Sequence, residues 1–327
     1  MKPLQTTIAF SIMLLLLGSC NKVDGISGDD VSGYSPILLS AEKASAFTKS
    51  YLPTGMYDNF EVYATYEMNG TQQIAMDGYQ VRFGAEGWSY ITDSQSLAYW
   101  NVNADRYLFA AGAPIEAVKS ISTNSMTLQL ENNLEGTALA SEPLSIEKAS
   151  SEFCKVVNLH FHYAHCRICV AFVKNSSTDV AIEDIELTPE APIASKAEMT
   201  YNYDWSTTPA TATTILTTSE KNGASFSFAN VTIPADTEDA VLSETKYYCV
   251  PDAANTNSWS VSLTCDGENK STSFVTSNIW KSGKNYIFLF SLTEKNVKLV
   301  KVISQDNFFD CTDIVPGGDF SNKDMTE

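Results

Sequence analysis

The sequence predicts an all-β protein made of two tandem antiparallel β-sandwich domains. Three observations carry this. Short runs of β-branched and aromatic residues recur at roughly ten-residue spacing, with Gly, Asn or Asp between them. The 15 Tyr and 16 Phe favour strands over helices. The 327 residues, 44% of them apolar, suffice for two buried cores. Helical periodicity is nearly absent, and Ser40–Thr48 is the one short helical candidate. Strands do not alternate with long helices, which argues against βαβ units, and no Rossmann or phosphate-loop glycine pattern occurs.

The chain opens with a leader. Met1 and Lys2 give a short positive start, and Ile8 to Leu17 is apolar except for Ser11. That run is shorter than the roughly 20 residues of a membrane-spanning helix. It fits the apolar region of a secretory signal over residues 1–19. It ends in Leu17-Gly18-Ser19-Cys20, which resembles the bacterial lipobox. Cleavage is expected between Ser19 and Cys20, followed by acylation of Cys20, at about 0.8 kcal/mol of membrane affinity per buried CH2. Residues 20–35 are polar, with Gly25, Gly28 and Gly33, and read as a flexible tether. A folded body on a lipid anchor outside the cytoplasm is therefore expected. Six further cysteines remain: Cys154, Cys166, Cys169, Cys249, Cys265 and Cys311. An even number in an exported chain permits disulfides, and their pairing stays open.

Residues 36–150 are assigned to a first sandwich. Phe60–Tyr66 alternates as a half-buried strand, and Asn69-Gly70 then predicts a tight hairpin. Tyr79–Phe83, Leu97–Trp100, Arg106–Ala110 and Met126–Glu131 continue the series, and Thr137–Ser151 has no clear period. A second sandwich is assigned to residues 151–309. Its strands are Lys155–Asn158, His160–Lys174, Ile182–Leu187, Ser225–Ile233, Tyr247–Val250 and Trp259–Cys265. After the Asp266-Gly267 hairpin come Ser271–Thr276, Tyr286–Leu292 and Val297–Ile303. Ser206–Ser219, with seven Thr and Pro209, reads as an exposed loop or irregular edge. Residues 310–327 read as a tail or late strand.

The formal charge of −18 makes nucleic acid a poor partner. The apolar content excludes intrinsic disorder. His160, His162, His165, Cys166 and Cys169 fall within ten residues. On one continuous strand, His160, His162 and Cys166 share a face, and His160 to Cys166 spans about 20 Å, beyond the reach of one metal. A pair at His160 and His162 is the remaining metal candidate, set against a core strand with buried thiols and hydrogen-bonded imidazoles. No cofactor is called for. Gly-x-Ser-x-Gly and His-Glu-x-x-His are absent, so no catalytic residues are assigned. Tyr201, Tyr203 and Trp205 are either sugar-stacking aromatics or ordinary packing.

Three stretches together resemble the fimbrillin-like lipoproteins of Bacteroidales, subunits and accessory proteins of type V pili. The first is Ile37 to Tyr66, with Phe60-Glu61-Val62-Tyr63-Ala64. The second is Gly87-Trp88, Tyr99-Trp100 and Tyr107-Leu108-Phe109-Ala110 through Pro114. The third runs from Tyr247-Tyr248-Cys249-Val250-Pro251 to Ser282-Gly283-Lys284-Asn285-Tyr286-Ile287-Phe288. The resemblance implies transthyretin-like sandwiches displayed at the outer membrane through acylated Cys20. It implies assembly with other pilus subunits by strand exchange, after proteolytic removal of the first strand. Ile37 and Leu39 on one face, with Leu38 opposite, are the residues for that exchanged strand. The maturation site maps to Thr48-Lys49, where this sequence has Lys in place of the frequent Arg. The alternative is a monomeric surface lipoprotein that binds a glycan or a host protein.

Overall fold

A computed structural model of the protein describes residues 35–43, 59–84, 87–91, 95–174, 176–235, 237, 239–251, 257–276 and 280–305. Ser19, Cys20, the tether up to residue 34, Lys49, Cys311 and the expected tail lie outside the described residues.

In chain order the strands are β1 (Leu39–Lys43), β2 (Asn59–Met68), β3 (Thr71–Gly84), β4 (Gly87–Tyr90), β5 (Arg106–Ala113), β6 (Val118–Ile121) and β7 (Ser125–Glu131). There follow β8 (Leu139–Ser141), β9 (Leu144–Glu147), β10 (Val157–Tyr163), β11 (Cys166–Lys174), β12 (Val180–Pro189), β13 (Ile193–Asp204) and β14 (Thr211–Asn222). The last are β15 (Phe226–Phe228), β16 (Val231–Ile233), β17 (Val241–Leu242), β18 (Tyr247–Cys249), β19 (Asn257–Cys265), β20 (Glu268–Thr276), β21 (Asn285–Leu292) and β22 (Val297–Gln305). Among the described residues there is no α-helix, only a 3-10 turn at Ile115–Ala117. The all-β class read from the sequence is the one observed.

The strands form four sheets. The first has the order β1-β10-β8-β5-β2-β3-β4, with β9 also on β5. The second is β14-β13-β7-β6. The third is β17-β11-β21-β22, with β18 on β11, and the fourth is β15-β12-β19-β20, with β16 on β12. The expected hairpins sit where the turn chemistry placed them. Asn69 (φ 53°) and Gly70 (φ 73°) join β2 to β3, and Asp266 (φ 50°) and Gly267 (φ 81°) join β19 to β20. Positive φ at both central residues gives the turn a twist that matches its strands.

The third and fourth sheets enclose one core, with Trp259, Phe172, Phe288 and Phe290 among its largest side chains. The inner face of the first sheet carries a second core around Trp100, Tyr107, Phe109 and Phe60. Its other face meets the second sheet through small residues, Ala110, Ala138 and Ala140, against Met126, Leu128 and Met199. Small side chains let these two sheets approach closely, and Gly112 on β5 marks the tightest point. A Cβ there would lie 2.7 Å from Val118 Cγ2 and 2.8 Å from Met126 Sδ.

Several expectations change. Ser40–Lys43, inside the helical candidate, is strand, because the pairing of β1 with β10 outweighs the local pattern. The run His160–Lys174 is not one strand: it breaks at Ala164–His165, and β10 and β11 belong to different sheets. Ser206–Ser219 is an edge, as one of its two readings had it, and holds most of strand β14, whose pairing with β13 shifts register near Lys196. Thr137–Ser151, without a clear period, supplies β8 and β9. Two pairings, β1 with β10 and β11 with β21, are parallel. Three strands after residue 150 join earlier ones: β10 lies in the first sheet, and β13 and β14 lie in the second.

Gly112→Ala should destabilise the fold by about 1–3 kcal/mol, as overpacking does. Urea unfolding measures this, and an unchanged midpoint would count against the close contact of the first two sheets.

Candidate functional site

The first strand is held by a seat made of several elements. Pro36 favours extended backbone for the residue before it, and Ile37, Leu38 and Leu39 then alternate across the strand. Ile37 is fully buried and Leu39 nearly so, while Leu38 is 53% exposed. This alternation is the one the sequence indicated. Ile37 and Leu39 belong to the aromatic core of the first sheet. Burying two such side chains contributes about 3–6 kcal/mol.

The backbone of this segment is bonded on both sides. Ile37 N–H donates to Ala98 O at 2.8 Å, and Trp100 N–H donates to Ser35 O at 2.9 Å. On the opposite side Val157 N–H donates to Leu38 O at 2.8 Å, and β1 then runs parallel to β10, with Leu39 opposite Val157 and Lys43 opposite Phe161. Tyr90, at the end of β4, donates its hydroxyl to Ile37 O at 2.7 Å. The two ends of the first sheet therefore meet at Ile37. Burial pushes the Tyr90 hydroxyl up to about 12, so it stays a donor at any physiological pH. Sequence reasoning placed Ala98 in the Leu97–Trp100 run without linking it to Ile37 and missed Tyr90, because nothing local marks a residue whose partner is more than 50 positions away.

The His/Cys cluster is split by the fold. His160 and His162 lie on the exposed face of β10, not in a core. His162 Nε2 lies 2.7 Å from Glu142 Oε1. Both histidines line a cleft of about 760 Å³, together with Glu142, Tyr201, Thr208 and Thr211. Among the described residues no three His, Cys, Asp or Glu side chains are grouped to hold a metal. Cys166 and Cys169 are buried on opposite faces of β11. No disulfide joins any two of the five described cysteines. Tyr203 and Trp205 pack together, with ring centroids 5.3 Å apart, and the Trp205 indole donates to Thr123 O at 2.7 Å. They serve packing rather than an open stacking platform.

His165 sits where the chain passes from the first sheet to the third. Ala138 N–H donates to its Nδ1 at 3.1 Å, which fixes Nδ1 as an acceptor. Nε2 then carries the proton and faces Glu131 O at 3.2 Å. Burial lowers its pKa to about 4, against a smaller opposing effect of the Glu131 carbonyl.

Residues 49–305 match the profile of a protein family described as fimbrillin-like. The chain belongs to the fimbrillin-like family. Solved structures agree on the fold. A proposed cell adhesion protein from Bacteroides ovatus ATCC 8483 superposes with a TM-score of 0.54 at 12% identity, over 84% of this chain and 98% of that one. A second, from Bacteroides uniformis ATCC 8492, gives 0.50 at 13% identity, over 85% and 99%. No curated protein is a significant match. The family profile starts at residue 49, so the seated strand of this fimbrillin-like chain lies before the matched region.

His165 gives this fimbrillin-like fold a specific acid sensitivity. Its folded pKa lies below the unfolded value of about 6.5, so its contribution is complete above that pH and is lost as pH falls toward 4. Between pH 7 and 4.5 the loss should be about 2–3 kcal/mol. Urea unfolding of the wild type and His165→Gln at both pH values isolates this part. Equal pH dependence in the two proteins would contradict a buried neutral imidazole.

Proposed function

We propose that the protein is a cell-surface fimbrial subunit or adhesin that assembles by exchange of its first strand and has no catalytic role. The observation that carries this is the seat of β1. A short terminal segment places Ile37 and Leu39 in an aromatic core, yet it is joined to the rest by backbone bonds that any extended chain can make. Its departure leaves a groove with two apolar sites and open hydrogen-bonding edges. Such a groove suits β-strand addition, where main-chain bonds give affinity and alternate side chains give selectivity. Membership of the fimbrillin-like family supports the same reading, and so do relatives of this fold described as proposed cell adhesion proteins.

In this reading Cys20 is acylated after cleavage at Ser19–Cys20, and the polar stretch to residue 35 tethers the body to the outer membrane. Maturation cuts the chain at Thr48-Lys49 and frees the segment that carries β1. The incoming strand comes from another pilus subunit. It places apolar side chains in the sites of Ile37 and Leu39, and a small one at the site of Ala41, which is half-buried.

The exchange is tested by placing a specific protease site between residues 44 and 58 of the full chain. After cleavage, a labelled peptide of residues 35–43 should bind, and the same peptide with Ile37→Asp should bind at least about 100-fold more weakly, since a buried charge has no partner there. Equal binding of the two peptides, or none by either, would overturn the exchange. Cys20→Ala should move the protein from the membrane fraction to the soluble one; retention on membranes would remove the lipid anchor from the proposal.

A further inference from the structure

Strand β14 is an unprotected edge. It is 12 residues long and, among the described residues, pairs only with β13. From Thr211 to Ser219 it reads TATTILTTS, with no charge, no Pro and no Gly. Every residue from Thr213 to Asn222 is exposed except Leu216, and Ile215 is 55% exposed. Long, flat, uncharged edges invite pairing with another chain, and soluble proteins ordinarily blunt them with charge. The edge strand β22 spaces Lys298 and Lys301 along its length, whereas the charges of β14, Glu220 and Lys221, stand together at its end and leave Thr211–Ser219 uncharged.

The direction of its free backbone groups follows from the ladder. Tyr203 N–H donates to Asn124 O at 2.9 Å, on the side away from β14. The Tyr203–Ala212 pair therefore exchanges no backbone bonds, and Ala212 turns its N–H and C=O outward. Alternation gives the same orientation to Thr214, Leu216 and Thr218.

We propose that β14 is a self-association edge, pairing antiparallel with β14 of a second copy about a two-fold axis through Ile215. Antiparallel pairing requires outward-facing residues to meet each other. Centring on Ile215 sets Thr214 opposite Leu216 and Ala212 opposite Thr218, so all four outward residues on each strand are matched. About eight backbone hydrogen bonds result. Ile215 then meets its own counterpart at a non-hydrogen-bonded position, where side chains are closest, and Thr213 meets Thr217 beside it. The overlap uses the whole uncharged stretch, since Thr211 falls opposite Ser219. Cis-Pro209 ends it on one side, and Glu220 and Lys221 lie just past it on the other. A second copy is the favoured occupant because the segment is nearly the same read in either direction. Two copies of a chain of formal charge −18 repel on average, and a neutral strip brings no further like charges together. The contact would extend the second sheet from four strands to eight and leaves the seat of β1 unused.

Two variants of the full chain, purified in detergent, test this. Ile215→Cys should give a covalent dimer with a short bis-maleimide, while the wild type and the exposed control Val275→Cys should not. Thr214→Pro removes an N–H that points outward and makes no bond to β13, so the monomer should keep its unfolding midpoint. It should weaken the dimer about tenfold or more in sedimentation equilibrium. No more cross-linking of Ile215→Cys than of Val275→Cys, or equal dimerisation of Thr214→Pro and wild type, would overturn the proposal.

Discussion

The closure of the first sheet at Ile37 is the contact on which the rest of this half depends. The inner face of that sheet is lined with aromatic rings and must be shielded from water. The sheet curls until β4 and the segment before β1 meet, and the Tyr90 hydroxyl bonds the Ile37 carbonyl across the gap. Tyr107 and Trp100, with ring centroids 4.6 Å apart, pack behind this closure. Ile37 and Leu39 belong to the same core as these rings, so burial favours a filled seat.

The second constraint is the interleaving of the chain. After β10 completes the first sheet, the chain crosses at Ala164–His165 and starts the third with Cys166. It returns in β13 to pair with β7. Asn132 and Asn133 fasten the crossing region: Val250 N–H donates to Asn132 Oδ1 at 2.7 Å, and Asn133 and Tyr248 exchange backbone bonds at 3.0 and 2.8 Å. The Arg106 guanidinium holds Glu67 with two bonds of 2.8 Å and also donates to the Trp205 carbonyl at 3.1 Å, linking β5 to the end of β13. These are polar contacts at geometric junctions, where direction matters more than buried area.

What the sequence revealed, and what it withheld, divides along the range of the interactions. The hairpins at Asn69-Gly70 and Asp266-Gly267 were legible because their backbone demands are local. The alternation of Ile37, Leu38 and Leu39 was legible because burial has a period of two on any strand. The break at Ala164–His165 was not, since apolar residues continue through it and only the tertiary fold sends the two sides to different sheets. The parity argument on the His/Cys cluster held within each strand, but it grouped Cys166 with His160 and His162 because it assumed one strand where there are two. Strand β13, from Ile193 to Asp204, carries half-buried polar residues such as Lys196 and Glu198 between buried ones, and was passed over. The strand character of β14 was hidden by its polarity, because Thr serves loops and strands alike.

The two edges that bear on assembly differ in a way that sets their roles. The seat of β1 has deep apolar sites, so what fills it is selected by side chains and held by several kcal/mol of burial. The outer edge of β14 has almost no depth; Ala212 and Leu216 turn inward to the core between the first and second sheets, and the outward groups are backbone and threonine. Backbone bonds formed in water exchange for bonds to water and contribute little each. In the proposed assembly a strand in the seat would therefore be a durable link between subunits. A strand laid on β14 would be a reversible one, side to side and symmetric. In that assembly the durable link would be specific, and the lateral one weak enough to correct its register.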